Sequence, residues 1–267
     1  MTKEAFIEKI SPILANKQFI GWSLEDKVFA INNNLTDDER DLFYELFKQY
    51  SIIKFDQYVS LFFSLLQKLD SCISSKIKRI FFLPIIDIEN PNKQKSGHFL
   101  FLFLDSLEFY QKSFFVNTKI NLEIQIEKAK LTDIFVFIDD FIGSGNQALA
   151  HVQQEIQKYK LKPNQVYIIC FAIMSVGYDL LTNCGFNIVY LNKYNKSISE
   201  NMEVSVRDKY LGILDSMEKR FNVPDDYQRG YGKCEGAISL KKTPNNTLPI
   251  FWYDNFSKKP IFPRKKK

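Results

Sequence analysis

The sequence predicts an α/β protein: a mostly parallel sheet flanked by helices, with an N-terminal helical region and a C-terminal strand and loop extension. Three observations predict it. Short apolar runs rich in Phe and Ile recur from Ile77 onward, and segments with helical spacing lie between them. One run, Ile134 to Ile138, passes through two acids and a Gly-Ser-Gly turn straight into a helical pattern. Strand and helix in alternation call for crossover connections, hence for parallel strands buried on both faces.

The elements follow in order. The helical region is expected over residues 1–70. In "NNLTDDERDLFYELFKQY", Thr36 can cap a helix with Glu39 three positions on, and Leu42, Phe43, Leu46 and Phe47 form an apolar stripe. "FDQYVSLFFSLLQKL" repeats the stripe with Tyr58, Leu61, Phe62, Leu65 and Leu66, aromatics read as core and docking surface. The α/β body is expected over 71–258, with strands in "IKRIFFLPI", "HFLFLFLD", "DIFVFID" and "QVYIICFAIM". Leu149, Val152, Ile156 and Tyr159 mark one intervening helix. Residues 259–267 form a basic tail ending "PRKKK", read as a disordered, solvated end, with polyanion binding as the alternative.

Composition narrows the function classes. The chain has 267 residues, 45% of them hydrophobic, enough for a substantial core without disulfide staples. Its four cysteines include no CxxC pair and there are two histidines, so neither a disulfide framework nor metal ligation by His and Cys is indicated. His98 and His151 read as structural or surface residues. The opening "MTKEAFIEKISPIL" carries an acid and a helical pattern where a signal peptide needs a basic patch and an unbroken apolar run. A cytoplasmic location without a membrane partner is expected. Part of the net charge of +5 sits in the tail.

The stretch "IFVFIDDFIGSGNQALAHV", Ile134 to Val152, carries the chemistry. In a parallel sheet, ligands gather at the carboxyl ends of the strands, where loops lead into helices. Gly143 and Gly145 permit a crowded or left-handed backbone whose N–H groups can face an anion, and the following helix N-terminus adds a favourable dipole. Asp139 and Asp140 would repel a phosphate, but they are good acceptors for the two vicinal hydroxyls of a ribose attached to it. A ribose 5-phosphate site is therefore the expectation, and a tight polar turn is the plain alternative.

"FIDDFIGSGNQ" resembles the phosphoribosyl pyrophosphate-binding motif of the type I phosphoribosyltransferases. The resemblance places the family's paired catalytic acids on Asp139 and Asp140, and its 5-phosphate loop on Gly143, Ser144, Gly145, Asn146 and Gln147. Ser144 is the sole counterpart of the loop threonines, so side-chain grip on the phosphate is weaker while backbone grip survives. The family's pyrophosphate loop would fall on Lys95, Ser96 and Gly97 in "NKQKSGHF", with Lys93 or Lys95 supplying charge; a hairpin turn with solvated lysines is the alternative.

"RGYGKCEGAISLKKTPNNTLPIFWYD", Arg229 to Asp254, is similar to the C-terminal signature of phosphoribosyltransferase-like proteins of bacterial conflict operons, including retron-associated anti-phage systems. Tyr231, Asn245, Asn246 and Thr247 then stand as pocket-rim candidates, or as a rigid turn that closes the domain. The two resemblances imply a phosphoribosyl pyrophosphate or nucleotide ligand, Mg²⁺ bound with the pyrophosphate, and glycosyl-transfer or N-glycosidic chemistry on nucleotides or nucleic acid. They equally accommodate a non-catalytic nucleotide sensor. The implied partners are proteins of the same operon, a reverse transcriptase–nucleic acid complex among them.

Overall fold

The structure is a computed structural model that describes residues 1–16, 24–74, 76–77, 79–88, 97, 99–100, 104 and 130–264. It folds as two compact units, Met1–Asp56 with Asn195–Lys267, and Gln57–Tyr194. The α-helices with both ends among the described residues are α1 (Lys3–Leu14), α2 (Leu24–Asn32), α3 (Asp37–Lys48), α4 (Tyr58–Cys72), α5 (Asn146–Tyr159), α6 (Ser175–Asn183) and α7 (Val204–Arg220). The strands are β1 (Ser51–Ile52), β2 (Arg79–Pro84), β3 (Asp133–Ile142), β4 (Val166–Met174), β5 (Asn187–Tyr194) and β6 (Ile238–Ser239).

The unit Gln57–Tyr194 is the α/β body. Its sheet runs β2-β3-β4-β5 with every neighbouring pair parallel, so β3 is central. Alternation along β3 sends Phe135 and Phe137 to one face, where they join Ala148 and Val152 of α5 and Leu181 of α6 in a buried cluster. On α4, Tyr58, Phe62, Leu65 and Leu69 are buried, and this helix packs on β4 and β5. Both faces of the sheet are thus covered, which is why β3 and β4 read as near-continuous apolar runs. At the amino end, Asp133 is fully buried and takes two hydrogen bonds from Arg79, at 2.8 and 2.5 Å, across the first register pair of β2 and β3.

The other unit holds α1, α2, α3 and α7 with the two-stranded parallel pair β1–β6. The predicted cap forms: Glu39 N–H donates to Thr36 Oγ1 at 3.4 Å, and Thr36 N–H donates to Glu39 Oε2 at 2.8 Å. Phe43 and Phe47 then stack with one another and pack on Phe251. Helix α4, counted with the helical front in the sequence reading, falls in the α/β unit, and the chain from Asn195 onward falls with α1 to α3.

Two expectations are corrected. "HFLFLFLD" is expected as a strand, yet its described residues 99, 100 and 104 are helical, with Leu100 and Leu104 buried, while residues 98, 101–103 and 105 lie outside the described residues. A short apolar run suits a buried strand and a buried helix alike, so periodicity does not separate them here. The tail is anchored as far as residue 264. Ile261 and Phe262 are buried in the core of their unit, Phe262 N–H donates to the Phe251 carbonyl at 2.8 Å, and the Arg264 guanidinium lies 4.9 Å from the Trp252 ring centre. Residues 265–267 lie outside the described residues. Among the described residues no helix is long and apolar enough to cross a membrane.

Candidate functional site at the carboxyl end of the central strand

Strand β3 continues past Ile138 to Ile142, so Asp139 and Asp140 stand in its last turn of pleat. The loop Gly143-Ser144-Gly145 then leads into α5 at Asn146. Gly145 takes φ 82°, a left-handed conformation that glycine reaches without a Cβ penalty, and no side chain caps the helix it starts. The first-turn N–H groups of α5 therefore open the helix as an anion-favouring end. Gly143, Ser144 and Gly145 are buried, whereas Asn146 and Gln147 are exposed.

Close packing explains the glycines as much as ligand binding does. A Cβ on Gly145 would come within 3.1 Å of the Gly177 Cα, and one on Gly177, in the first turn of α6, would stand 2.4 Å from the Gly143 carbonyl oxygen. The two helix starts therefore meet at the loop. Gly97 adds a third close approach, since its Cβ would lie 2.6 Å from the Ile138 carbonyl oxygen and 3.1 Å from the Ile85 N. Gly97 is thus seated against the backbone that carries Asp139, while Lys93, Lys95, Ser96 and His98 lie outside the described residues.

Both acids are 8% exposed. Asp139 Oδ1 accepts the Asp140 N–H at 2.9 Å, and Asp140 Oδ2 accepts the Tyr58 hydroxyl at 2.7 Å. Asp139 is in register with Cys170 of β4, and burial, then the charges of Asp139 and Asp140, hold the Cys170 thiol well above its ordinary range. Adjacent strand residues point to opposite faces, so Asp139 leaves the strand on the α5 side and Asp140 on the Tyr58 side. His151, on α5, is buried edge-on to Phe137 at 5.7 Å, with its Nε2 3.9 Å from Glu155.

Tyr58 is the residue that sequence reasoning missed in this role. It sits in an apolar helical stripe, and only its hydroxyl distinguishes it there from Phe62. Gly177 carried a readable signal, a lone glycine inside a helical pattern next to an apolar strand.

The rim candidates belong to the other unit. The Asn246 side-chain amide donates to the Tyr231 carbonyl at 2.9 Å, Tyr231 N–H donates to the Asn245 carbonyl at 2.8 Å, and the buried Thr247 hydroxyl donates to the Ile238 carbonyl at 2.6 Å. Gly230, at φ 74°, and Gly236 both back onto the Asn246 carbonyl. These bonds account for the Gly-aromatic-Gly and Asn-Asn-Thr pattern as mutual closure of two turns. Among the described residues, no three His, Cys, Asp or Glu residues are grouped to hold a metal ion.

The model of one protein family, PRTase-CE, matches residues 30–264. Among solved structures, the chain is similar to the crystal structure of orotate phosphoribosyltransferase from Aeropyrum pernix, at 14% identity over 52% of this chain and 71% of that one, with a TM-score of 0.32. No curated protein matches the sequence.

Proposed function

The chain belongs to the PRTase-CE family, and from that premise we propose that it binds a ribose 5-phosphate-containing ligand, phosphoribosyl pyrophosphate or a nucleotide, at the β3–α5 junction. The observation that carries the reading is the placement of Asp139 and Asp140 in the last four residues of β3, ahead of a Gly-Ser-Gly loop whose left-handed Gly145 starts a helix with no side-chain cap. The phosphate takes the N–H groups of Ser144 to Gln147, and the ribose hydroxyls donate to the two carboxylates. A carboxylate acceptor strengthens a hydroxyl hydrogen bond, each such bond being worth about 1.5–3 kcal/mol.

The chemistry that such a site supports is transfer at the ribose C1. As the bond to the leaving group breaks, C1 acquires oxocarbenium character, and the nearby carboxylates stabilise the positive charge while the loop fixes the phosphate. Among the described residues no group of three His, Cys, Asp or Glu stands at the site, so a Mg²⁺ would be carried mainly by the ligand's pyrophosphate, with Asp139 and Asp140 left to the ribose hydroxyls. The chemistry acts on nucleotides or nucleic acid, by glycosyl transfer or at an N-glycosidic bond. Non-catalytic nucleotide sensing is the second reading, favoured by the loop's single hydroxyl, Ser144. An anti-phage role beside partner proteins of the same operon extends both readings and rests on the Arg229 to Asp254 signature.

Calorimetry with phosphoribosyl pyrophosphate and with nucleoside monophosphates, with and without Mg²⁺, tests the proposal. The Asp139→Asn, Asp140→Asn double variant should bind at least about tenfold more weakly, a loss of ~1.4 kcal/mol or more. Equal binding by both proteins overturns the ribose assignment. Metabolite profiles of cells expressing the parent and the variant separate turnover from sensing.

A further inference from the structure

Asp140 is not held by the strand alone. Its Oδ2 takes the Tyr58 hydroxyl at 2.7 Å, and Tyr58 is 1% exposed, the first residue of α4. The phenol ring is fixed on its own account, edge-on to Phe171 at 5.1 Å and to Phe99 at 6.5 Å. A carboxylate's terminal torsion is broad, so an aspartate at a strand end samples several orientations unless a partner selects one. A buried hydroxyl pointed at one oxygen makes that selection and leaves the other oxygen for an incoming donor.

We propose that Tyr58 is a positioning residue of the sugar site: it orients Asp140 so that one carboxylate oxygen faces the ribose hydroxyl that Asp140 accepts. Tyr58 does not touch the ligand. The inference rests on the ribose reading above and deepens it by dividing the labour of the acid pair. Asp139 accepts the N–H of the next residue, and Asp140 accepts a side-chain hydroxyl from a helix far away in sequence. The hydroxyl is what matters, because packing on Phe171 and Phe99 needs only the ring.

The test uses the full chain and three probes: ribose 5-phosphate, 2-deoxyribose 5-phosphate and inorganic phosphate. Tyr58→Phe should weaken ribose 5-phosphate binding by about tenfold, leave inorganic phosphate unchanged, and shrink the preference for ribose over deoxyribose. In an Asp140→Asn background the same change should cost nothing further, since coupled residues act as one unit. Tyr58→Met, which fills the space without a hydroxyl, is the second variant and should give the same ratios should the first fold poorly. A purely structural Tyr58 would lower the melting temperature and weaken all three probes together, which overturns the inference. Unchanged binding by both variants overturns it too, with the ribose site left standing. A parent protein that binds inorganic phosphate as tightly as ribose 5-phosphate overturns the ribose reading and this inference with it.

Discussion

Gly177 lies so close to Gly143 that a Cβ on Gly177 would stand 2.4 Å from the Gly143 carbonyl oxygen. The contact is backbone to backbone, so no flexible side chain can yield. Helix α6 thereby fixes the height of the loop that precedes α5, and the loop inherits the rigidity of two helix starts instead of its own short sequence.

Gly177→Ala should therefore displace the Gly143-Ser144-Gly145 loop, lowering stability by about 1–3 kcal/mol, as overpacking does, and weakening phosphate-containing ligands with it. Gly212 in α7 is the internal control, because a Cβ there meets nothing within 4 Å. Gly212→Ala should stabilise by about 0.5–1 kcal/mol through helix propensity. Urea midpoints of the two variants moving in the same direction would contradict the steric account.

Arg79 and Asp133 pair across the start of β2 and β3 with unequal burial: the Arg79 side chain is 30% exposed and that of Asp133 is not exposed. Burial alone would raise the Asp133 carboxyl; hydrogen bonds and charge from Arg79, with the Lys130 N–H, outweigh it and hold the group below its ordinary value. Arg79→Met strands a buried carboxylate and should cost about 3 kcal/mol, while Asp133→Asn leaves an arginine that can reach water and should cost less, about 1–2 kcal/mol. The pair's stability is present above the ordinary carboxylate range and is lost as pH falls through the lowered native value, so Arg79→Met should also unfold at higher pH during acid titration. Equal losses in the two variants would refute the asymmetry.

Local elements of the fold, the strand-to-helix junction among them, are legible in the sequence, and long-range pairings are not. The Thr36–Glu39 cap, the Ile134 to Ile138 strand and the turn at Gly143 to Gly145 are written in adjacent residues, where periodicity and turn chemistry act. Strand β5, at the edge of the sheet among the described residues, carries a weaker mark, because the apolar run of "NIVYLNKY" is only Ile188 to Leu191 and Val189 alone is buried on it. The pairing of β1 with β6 and the bond from Tyr58 to Asp140 join residues remote in sequence. No local pattern encodes them. Helix and strand compete on equal terms in "HFLFLFLD", whose described residues 99, 100 and 104 are helical.

Glu218 is fully buried on α7 and accepts the Arg229 N–H with both oxygens, at 3.1 and 2.9 Å. Burial raises its carboxyl to about 8; the Arg229 N–H and charge oppose the rise, and Asp215 and Glu235 add to it. Since the native value lies above the unfolded one, the folded protein keeps a proton that the unfolded chain has lost between about pH 4.5 and 8. Stability from this group is full below that window and falls as pH rises through it, by up to ~1.4 kcal/mol per pH unit. Glu218→Gln retains a carbonyl for the Arg229 N–H and should flatten the decline of the melting temperature between pH 5 and 8. Parallel curves for parent and variant would show that Glu218 titrates normally.

The four cysteines differ in burial and so report on the surroundings of the acid pair. Cys170 is fully buried beside Asp139, its thiol held far up by burial and by the two carboxylates, and burial raises Cys234 to about 11. Cys72 is exposed and Cys184 half-buried. The thiolate is the reactive form, so alkylation by iodoacetamide at pH 8 should modify Cys72 first and Cys184 more slowly, with Cys170 and Cys234 protected. Labelling of Cys170 then requires α5 and α6 to lift from the sheet, and its rate should follow that opening equilibrium. A ligand that binds Asp139 and Asp140 in the folded state stabilises that state by mass action and should slow Cys170 labelling further. Mass spectrometry of the four cysteine peptides, with and without phosphoribosyl pyrophosphate, reads both effects. Cys170 reacting as fast as Cys72 would overturn the buried position of the acid pair, and a Cys170 rate indifferent to a saturating ligand would put that ligand elsewhere.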